Sequence, residues 1–224
     1  MSLSELEQRI DYTFKQPQLL LQAITHASFS ADHNERLEFL GDSVLSAVMA
    51  DHLFTLYPDV SEGVLTKLRS SLVSGVALSS LASELSIGPF LRLGKGEELS
   101  QGRQRPSILE NQLEAIVGAI FLDSNWEVTR AVVLKWFDSR LNTLNINETV
   151  NFKSALQEWL QANNHPLPKY ELKERLGEEH AQEFVMECRV DSLKLSAQGQ
   201  ASSRKKSEQK AAEIIYKEIL KNHG

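Results

Sequence analysis

The sequence predicts an all-α amino-terminal domain followed by a small α+β domain in the order α-β-β-β-α, and three observations predict it. Before about residue 140, apolar residues recur at helical spacing, and Gly and Pro are sparse. Residues 141–151, LNTLNINETVN, are rich in Asn and Thr and carry no helical stripe, which reads as a linker. Beyond them a helix-like stretch gives way to apolar–polar alternation and then to a final helix. The expected division is a domain over 1–145, a linker over 146–151 and a domain over 152–224.

At 224 residues, 42% of them apolar and 24% charged, the chain has the length of one large or two modest domains and the composition of a folded protein. No apolar run approaches the ~18–20 residues of a bilayer span, and the opening MSLSELEQRIDYTF lacks the pattern of a secretory signal. Cys188 is the single cysteine, which excludes an intramolecular disulfide and a zinc site built on several cysteines. A soluble cytoplasmic protein is expected. The net charge of −6 is unevenly spread: residues 1–148 hold 12 basic and 19 acidic residues, the remainder 12 and 11. Such asymmetry suggests two domains with different tasks.

In NERLEFLGDSVLSAVMA, residues 34–50, Leu37, Leu40, Val44 and Val48 form a core-facing helical stripe. Glu35, Glu38 and Asp42 fall together on the opposite side, where like charges cost a few tenths of a kcal/mol per pair. A solvated acidic face is the plain reading. Phe39 weakens it, because an aromatic beside the carboxylates either stays wet or is covered by something else, a partner subunit being one candidate. A further helix follows the Tyr57-Pro58 turn and begins near Glu62, which either adds a carboxylate or favours its own helix start. Residues 86–107 form a Gly- and Pro-punctuated connector whose Arg92, Lys95, Arg103 and Arg105 either meet phosphate or are merely solvated. SILENQLEAIVGAIFLD, 107–123, reads as a helix with Ser107 as N-cap and Leu113, Ile116, Val117 and Ile120 as core. Glu110, Asn111 and Glu114 lie on its neighbouring faces.

If these two acidic helices pack together, their oxygens converge. Hard divalent cations such as Mg²⁺ take oxygen ligands, and a pair of them can activate water for phosphodiester cleavage.

In the second domain, Phe152, Leu156, Trp159 and Leu160 form the core stripe of a helix, with Gln157, Glu158 and Gln161 facing outward. PKYELKERLG, HAQEFVMECRVD and LKLSAQGQA read as three strands separated by GEE and DS turns. A last helix starts at Ser202 or Ser203 and buries Ala211, Ile215 and Ile219. Its first turn carries Arg204, Lys205 and Lys206, with Lys210 further in, where the helix dipole already supplies positive charge. A bound phosphate would reverse the sign of that penalty.

The segment NERLEFLGDSVL resembles the signature stretch of the ribonuclease III family, endonucleases of double-stranded RNA. ITHASF, LGKGEELSQGR and SILENQLEAIVGAIFLD support it, and the carboxy-terminal domain resembles a double-stranded-RNA-binding domain. The resemblance implies a homodimeric, Mg²⁺-dependent (Mn²⁺ as an alternative) endoribonuclease acting on double-stranded RNA, with no small-molecule substrate and no membrane. It assigns catalysis to Asp42, Glu114 and Glu38, metal binding to Glu38, Asp42, Asn111 and Glu114, and supporting acidic roles to Glu35 and Glu62. Phe39 would pack into the partner subunit. RNA contacts fall to Gln157, Glu158 and Gln161, to a loop with His165 or His180, and to Arg204, Lys205 and Lys206.

Two departures stand out. Ala201 replaces a second Gly, and Asn111 stands where the family carries Asp, so one full negative charge is missing while a carbonyl ligand remains. The alternative to an active nuclease is therefore a duplex-RNA-binding protein with impaired cleavage. A helical scaffold with solvated acidic faces is the third reading.

Overall fold

The structure, a computed structural model, describes residues 2–58, 60–144, 151–177 and 182–223. The chain forms two compact units, Met1–Asn145 and Ile146–Gly224, each taken by itself below.

The first unit contains α1 (Leu3–Ile10), α2 (Pro17–Ala23), α3 (Glu35–Leu56), α4 (Glu62–Leu72), α5 (Gly75–Glu84), α6 (Lys95–Leu99), α7 (Pro106–Asp123) and α8 (Trp126–Asn142). Helix α7 lies at the centre. Leu113, Ala115, Ile116, Val117, Ala119 and Ile120 are all fully buried, the behaviour of a helix that is apolar on most of its circumference. It starts two residues earlier than Ser107 would allow as a cap. Pro106 occupies the first turn and Arg105 is the N-cap, since proline has no N–H to satisfy and its φ is already helical. Helix α8 runs to Asn142, so the Asn/Thr-rich stretch begins inside a helix; apart from Asn151, the linker expected at 146–151 lies outside the described residues.

Helix α3 crosses α7 at two glycines. A Cβ on Gly41 would come within 1.7 Å of the Glu114 carbonyl oxygen, and one on Gly118 within 2.3 Å of the Leu37 carbonyl oxygen. The two backbones therefore touch, which no larger residue would permit. By length and composition α3 would also suit a bilayer, yet Leu37, Val44, Leu45, Val48, Met49 and Leu53 are buried in the domain, as in the core helix of a globular protein.

The second unit is an antiparallel sheet in the order β1-β2-β3, with β1 Lys169–Leu176, β2 Glu183–Val190 and β3 Leu195–Ala201. Helices α9 (Phe152–Ala162) and α10 (Arg204–His223) complete it. Phe152, Leu156 and Leu160 from α9, Cys188 and Val190 from β2, and Ala211, Ala212, Ile215 and Ile219 from α10 form its core. Trp159 is half-buried at the edge of that core and stacks on His165, ring centroids 6.0 Å apart. The last helix begins at Arg204, with Ser203 accepting from the Lys206 N–H.

Candidate active site and nucleic-acid interface

The glycine crossing decides what meets at the centre of the first unit. Asp42 follows Gly41 directly, and Glu114 owns the carbonyl against which Gly41 packs, so the two acidic faces meet side by side. Asp42 is exposed, Glu38 half-buried and Glu114 only 9% exposed. Burial, reinforced by the charges of Asp42, Glu110 and Glu38, pushes the Glu114 carboxyl up to about 8. Glu38 is raised for the same reasons, by burial first and then by Glu35, while the Asn111 side chain bonds to it and holds it down in part. The predicted group Glu35, Glu38, Asp42, Asn111 and Glu114 is thus brought into one electrostatic unit, with Glu110 as a further member.

Glu62 is arranged differently. It is exposed at the start of α4, accepts a hydrogen bond from the Thr66 hydroxyl at 2.8 Å, and lines a groove with Asp51, Leu53, Phe54, Val60, Leu65 and Arg69. Its charge is not among those acting on Glu38 or Glu114 within this chain.

The donor set at the crossing is all oxygen: three carboxylates and one amide carbonyl, which suits a hard divalent cation. Among the described residues, no three His, Cys, Asp or Glu side chains already stand close enough to hold an ion unaided. Magnesium does not require that, because one or two carboxylates with water and substrate phosphate complete its octahedron. Glu114, whose carboxyl is pushed up to about 8, would be drawn into its charged form by such an ion, so the residues fit it.

The connector arginines serve the fold. Arg103 donates to the carbonyls of Gly88, Pro89 and Leu91 and pairs with Glu98 at 2.7 Å. Arg105 pairs with Glu97 at 2.9 Å, and Arg92 reaches Thr25 and lies over the Phe29 ring. These three are fastenings between short turns rather than open phosphate contacts.

The exterior of α3 is conspicuously apolar. Phe39 is 79% exposed and Phe54 72%, with Leu56 also exposed on the same helix.

In the second unit, Gln157, Glu158 and Gln161 are all exposed on α9. Arg204, Lys205 and Lys206 are exposed in the first turn of α10, with Arg204 over the Phe184 ring. Lys210, by contrast, donates to the Gln200 carbonyl and so ties α10 to β3. His165 is half-buried in its stack with Trp159; His180 lies outside the described residues.

Comparison with known proteins adds a second line of observation. Residues 16–141 match a family model described as ribonuclease-III-like, and residues 152–219 match the double-stranded RNA binding motif. The protein named ribonuclease 3 of Hahella chejuensis is 48% identical over 211 residues, covering 94% of this chain and 93% of its own length. A crystal structure of the nuclease domain of ribonuclease III from Campylobacter jejuni matches with a TM-score of 0.61 and 39% identity, over 64% of this chain and 99% of that one. A second structure of that domain matches with a TM-score of 0.60 and 40% identity, over 62% of this chain and 97% of that one; it describes flexibility in a region involved in dimer formation.

Proposed function

The chain belongs to the ribonuclease III family, and on that premise we propose that it is a cytoplasmic, homodimeric endoribonuclease that hydrolyses phosphodiester bonds in double-stranded RNA with the help of Mg²⁺ or Mn²⁺. The observation that carries the reading is the α3/α7 crossing, where Gly41 and Gly118 bring Asp42 beside a buried Glu114 whose carboxyl is pushed up to about 8. Within this reading, residues 1–145 are the nuclease domain, 146–151 the linker and 152–224 the double-stranded-RNA-binding domain. The two matched spans support that division.

Glu38, Asp42 and Glu114 would hold the metal, with the Asn111 carbonyl as a neutral fourth donor. A bound divalent ion supplies polarisation of the phosphate and a water made acidic enough to deliver hydroxide near neutral pH. The chain's own part is to keep these oxygens fixed. The backbone contact at Gly41 and Gly118 sets the spacing of the two helices, and the Asn111 side chain favours the charged form of Glu38. Hydrolysis joins the water oxygen to phosphorus as the bond to the leaving sugar oxygen breaks, and the proton released by water ends on that oxygen. Glu35 and Glu62 would add to the negative field near the substrate.

The RNA-binding domain would grip the duplex from two sides. Arg204, Lys205 and Lys206 meet phosphates at the start of α10, where helix dipole and side chains have the same sign. Gln157, Glu158 and Gln161, with His180, address the minor groove and its 2′-hydroxyls, so shape rather than sequence is read. Dimerisation would cover Phe39 and the apolar exterior of α3.

The test is incubation of purified chain with a long RNA duplex and Mg²⁺, beside Asp42→Asn. Metal-dependent cleavage of duplex but not single-stranded RNA, lost in Asp42→Asn with duplex binding retained, is the expected result. Binding without cleavage in both proteins would leave an RNA-binding protein, and absence of both would end the proposal.

A further inference from the structure

Asn111 leaves the crossing one carboxylate short of what the family resemblance implies, and the structure contains an acid that can make up the difference. Glu110 precedes Asn111 and lies one helical turn before Glu114, so the two side chains stack on one face of α7. Its carboxylate rests where the side chain of residue 75 would be: a Cβ on Gly75 would come within 2.5 Å of Oε2 and 2.8 Å of Oε1. Gly75 is the first residue of α5, a helix of 10 residues, so the acid sits against that helix's positive end. A glycine at this one position thus makes room for the acid, and the α5 dipole offsets the cost of a further negative charge beside Glu38 and Glu114, on both of which Glu110 acts.

We propose that Glu110, seated in the space opened by Gly75, is a positioning and charge-supplying residue for the divalent-metal site, restoring the negative charge that Asn111 lacks. The inference rests on the nuclease reading. It makes Glu110 and Asn111 a coupled pair: the acid matters because its neighbour is an amide. It also gives Gly75 a role unrelated to turn geometry.

Metal affinity read by titrating Mn²⁺ against the thermal midpoint of the full chain, without RNA, is the decisive measurement. Glu110→Gln is expected to weaken Mn²⁺ binding about 10-fold, the lower end of the range for outer-shell partners of a metal site. In an Asn111→Asp background the same substitution should cost far less, because the charge is already supplied. Gly75→Ala, which displaces the acid, should also weaken Mn²⁺ binding. It should leave the metal-free midpoint unchanged or raised, since alanine is the better helix former. Equal Mn²⁺ affinity in the parent and Glu110→Gln, or an equal loss in both backgrounds, overturns the proposal. Asp42→Asn separates this failure from that of the metal site itself: if it too leaves Mn²⁺ affinity unchanged, the ion does not bind at the crossing at all.

Discussion

The acidic crossing of α3 and α7 and the basic start of α10 are both assembled against their own electrostatics, but the burden falls differently. At the crossing, Glu114 is buried beside Asp42, Glu110 and Glu38, and burial first, with the neighbouring charges added to it, pushes its carboxyl up to about 8. At α10, Arg204, Lys205 and Lys206 project into solvent, where a misplaced charge at a helix end costs only about 0.3–1 kcal/mol and salt reduces it further. The first region is therefore a preorganised, expensive site that only close packing can sustain. The second is an inexpensive one that any solvated helix can carry. Catalysis on a phosphodiester needs fixed charge, whereas gripping a polyanion needs only reachable charge.

The largest effect should follow from breaking the packing behind the crossing. Gly41→Ala gains about 1 kcal/mol of helix propensity but drives a methyl to within 1.7 Å of the Glu114 carbonyl oxygen. The clash should win and lower stability by about 3 kcal/mol or more in urea unfolding, with loss of metal-dependent cleavage. A folded, fully active Gly41→Ala protein would mean that the helices need not touch.

A smaller effect should appear in the pH dependence of stability. A carboxyl raised from 4.5 to about 8 binds a proton more tightly in the folded state, so its contribution is complete below about pH 4.5 and is lost as pH rises through 8. With metal chelated, Glu114→Gln should therefore be more stable than the parent at pH 9, by an amount on the order of a few kcal/mol, and the gap should close towards pH 4. A gap that does not change with pH would show that burial and the charges at the crossing do not act on Glu114 as described.

The smallest change in stability belongs to the exposed region. Replacing Arg204, Lys205 and Lys206 by Gln should alter the unfolding free energy by less than about 1 kcal/mol. Duplex binding should nevertheless weaken, and its dependence on salt should fall by about 0.9 in logarithmic slope for each phosphate that is no longer neutralised. An unchanged slope would remove the basic turn from the interface and leave the comparison one-sided.

Much of this was legible in the linear pattern. The spacing of Leu37, Val44 and Val48 announced α3 and its buried side, and the strand alternation after Pro168 announced a sheet, because burial on one face imposes a period. The cluster Arg204, Lys205 and Lys206 was visible because a charge at the wrong end of a helix is a local contradiction. What local pattern could not disclose was the work of Arg103, whose guanidinium satisfies three carbonyls that precede it by 12 to 15 residues in the chain. Nor could it reveal that Glu110 lies against Gly75, or that Pro106 rather than Ser107 opens α7.

The residue types and their periods, by themselves, determined two domains, the helix and strand order, and which carboxylates and cations exist to be used. Only the tertiary structure decided that Gly41 and Gly118 let α3 and α7 meet backbone to backbone, that Glu114 is the acid left buried, and that Glu62 lines a different surface. The reason is physical: periodicity along a chain reports which face is turned inward, while the energy of a charge depends on distances to groups far away in sequence, and those are settled only when the helices pack.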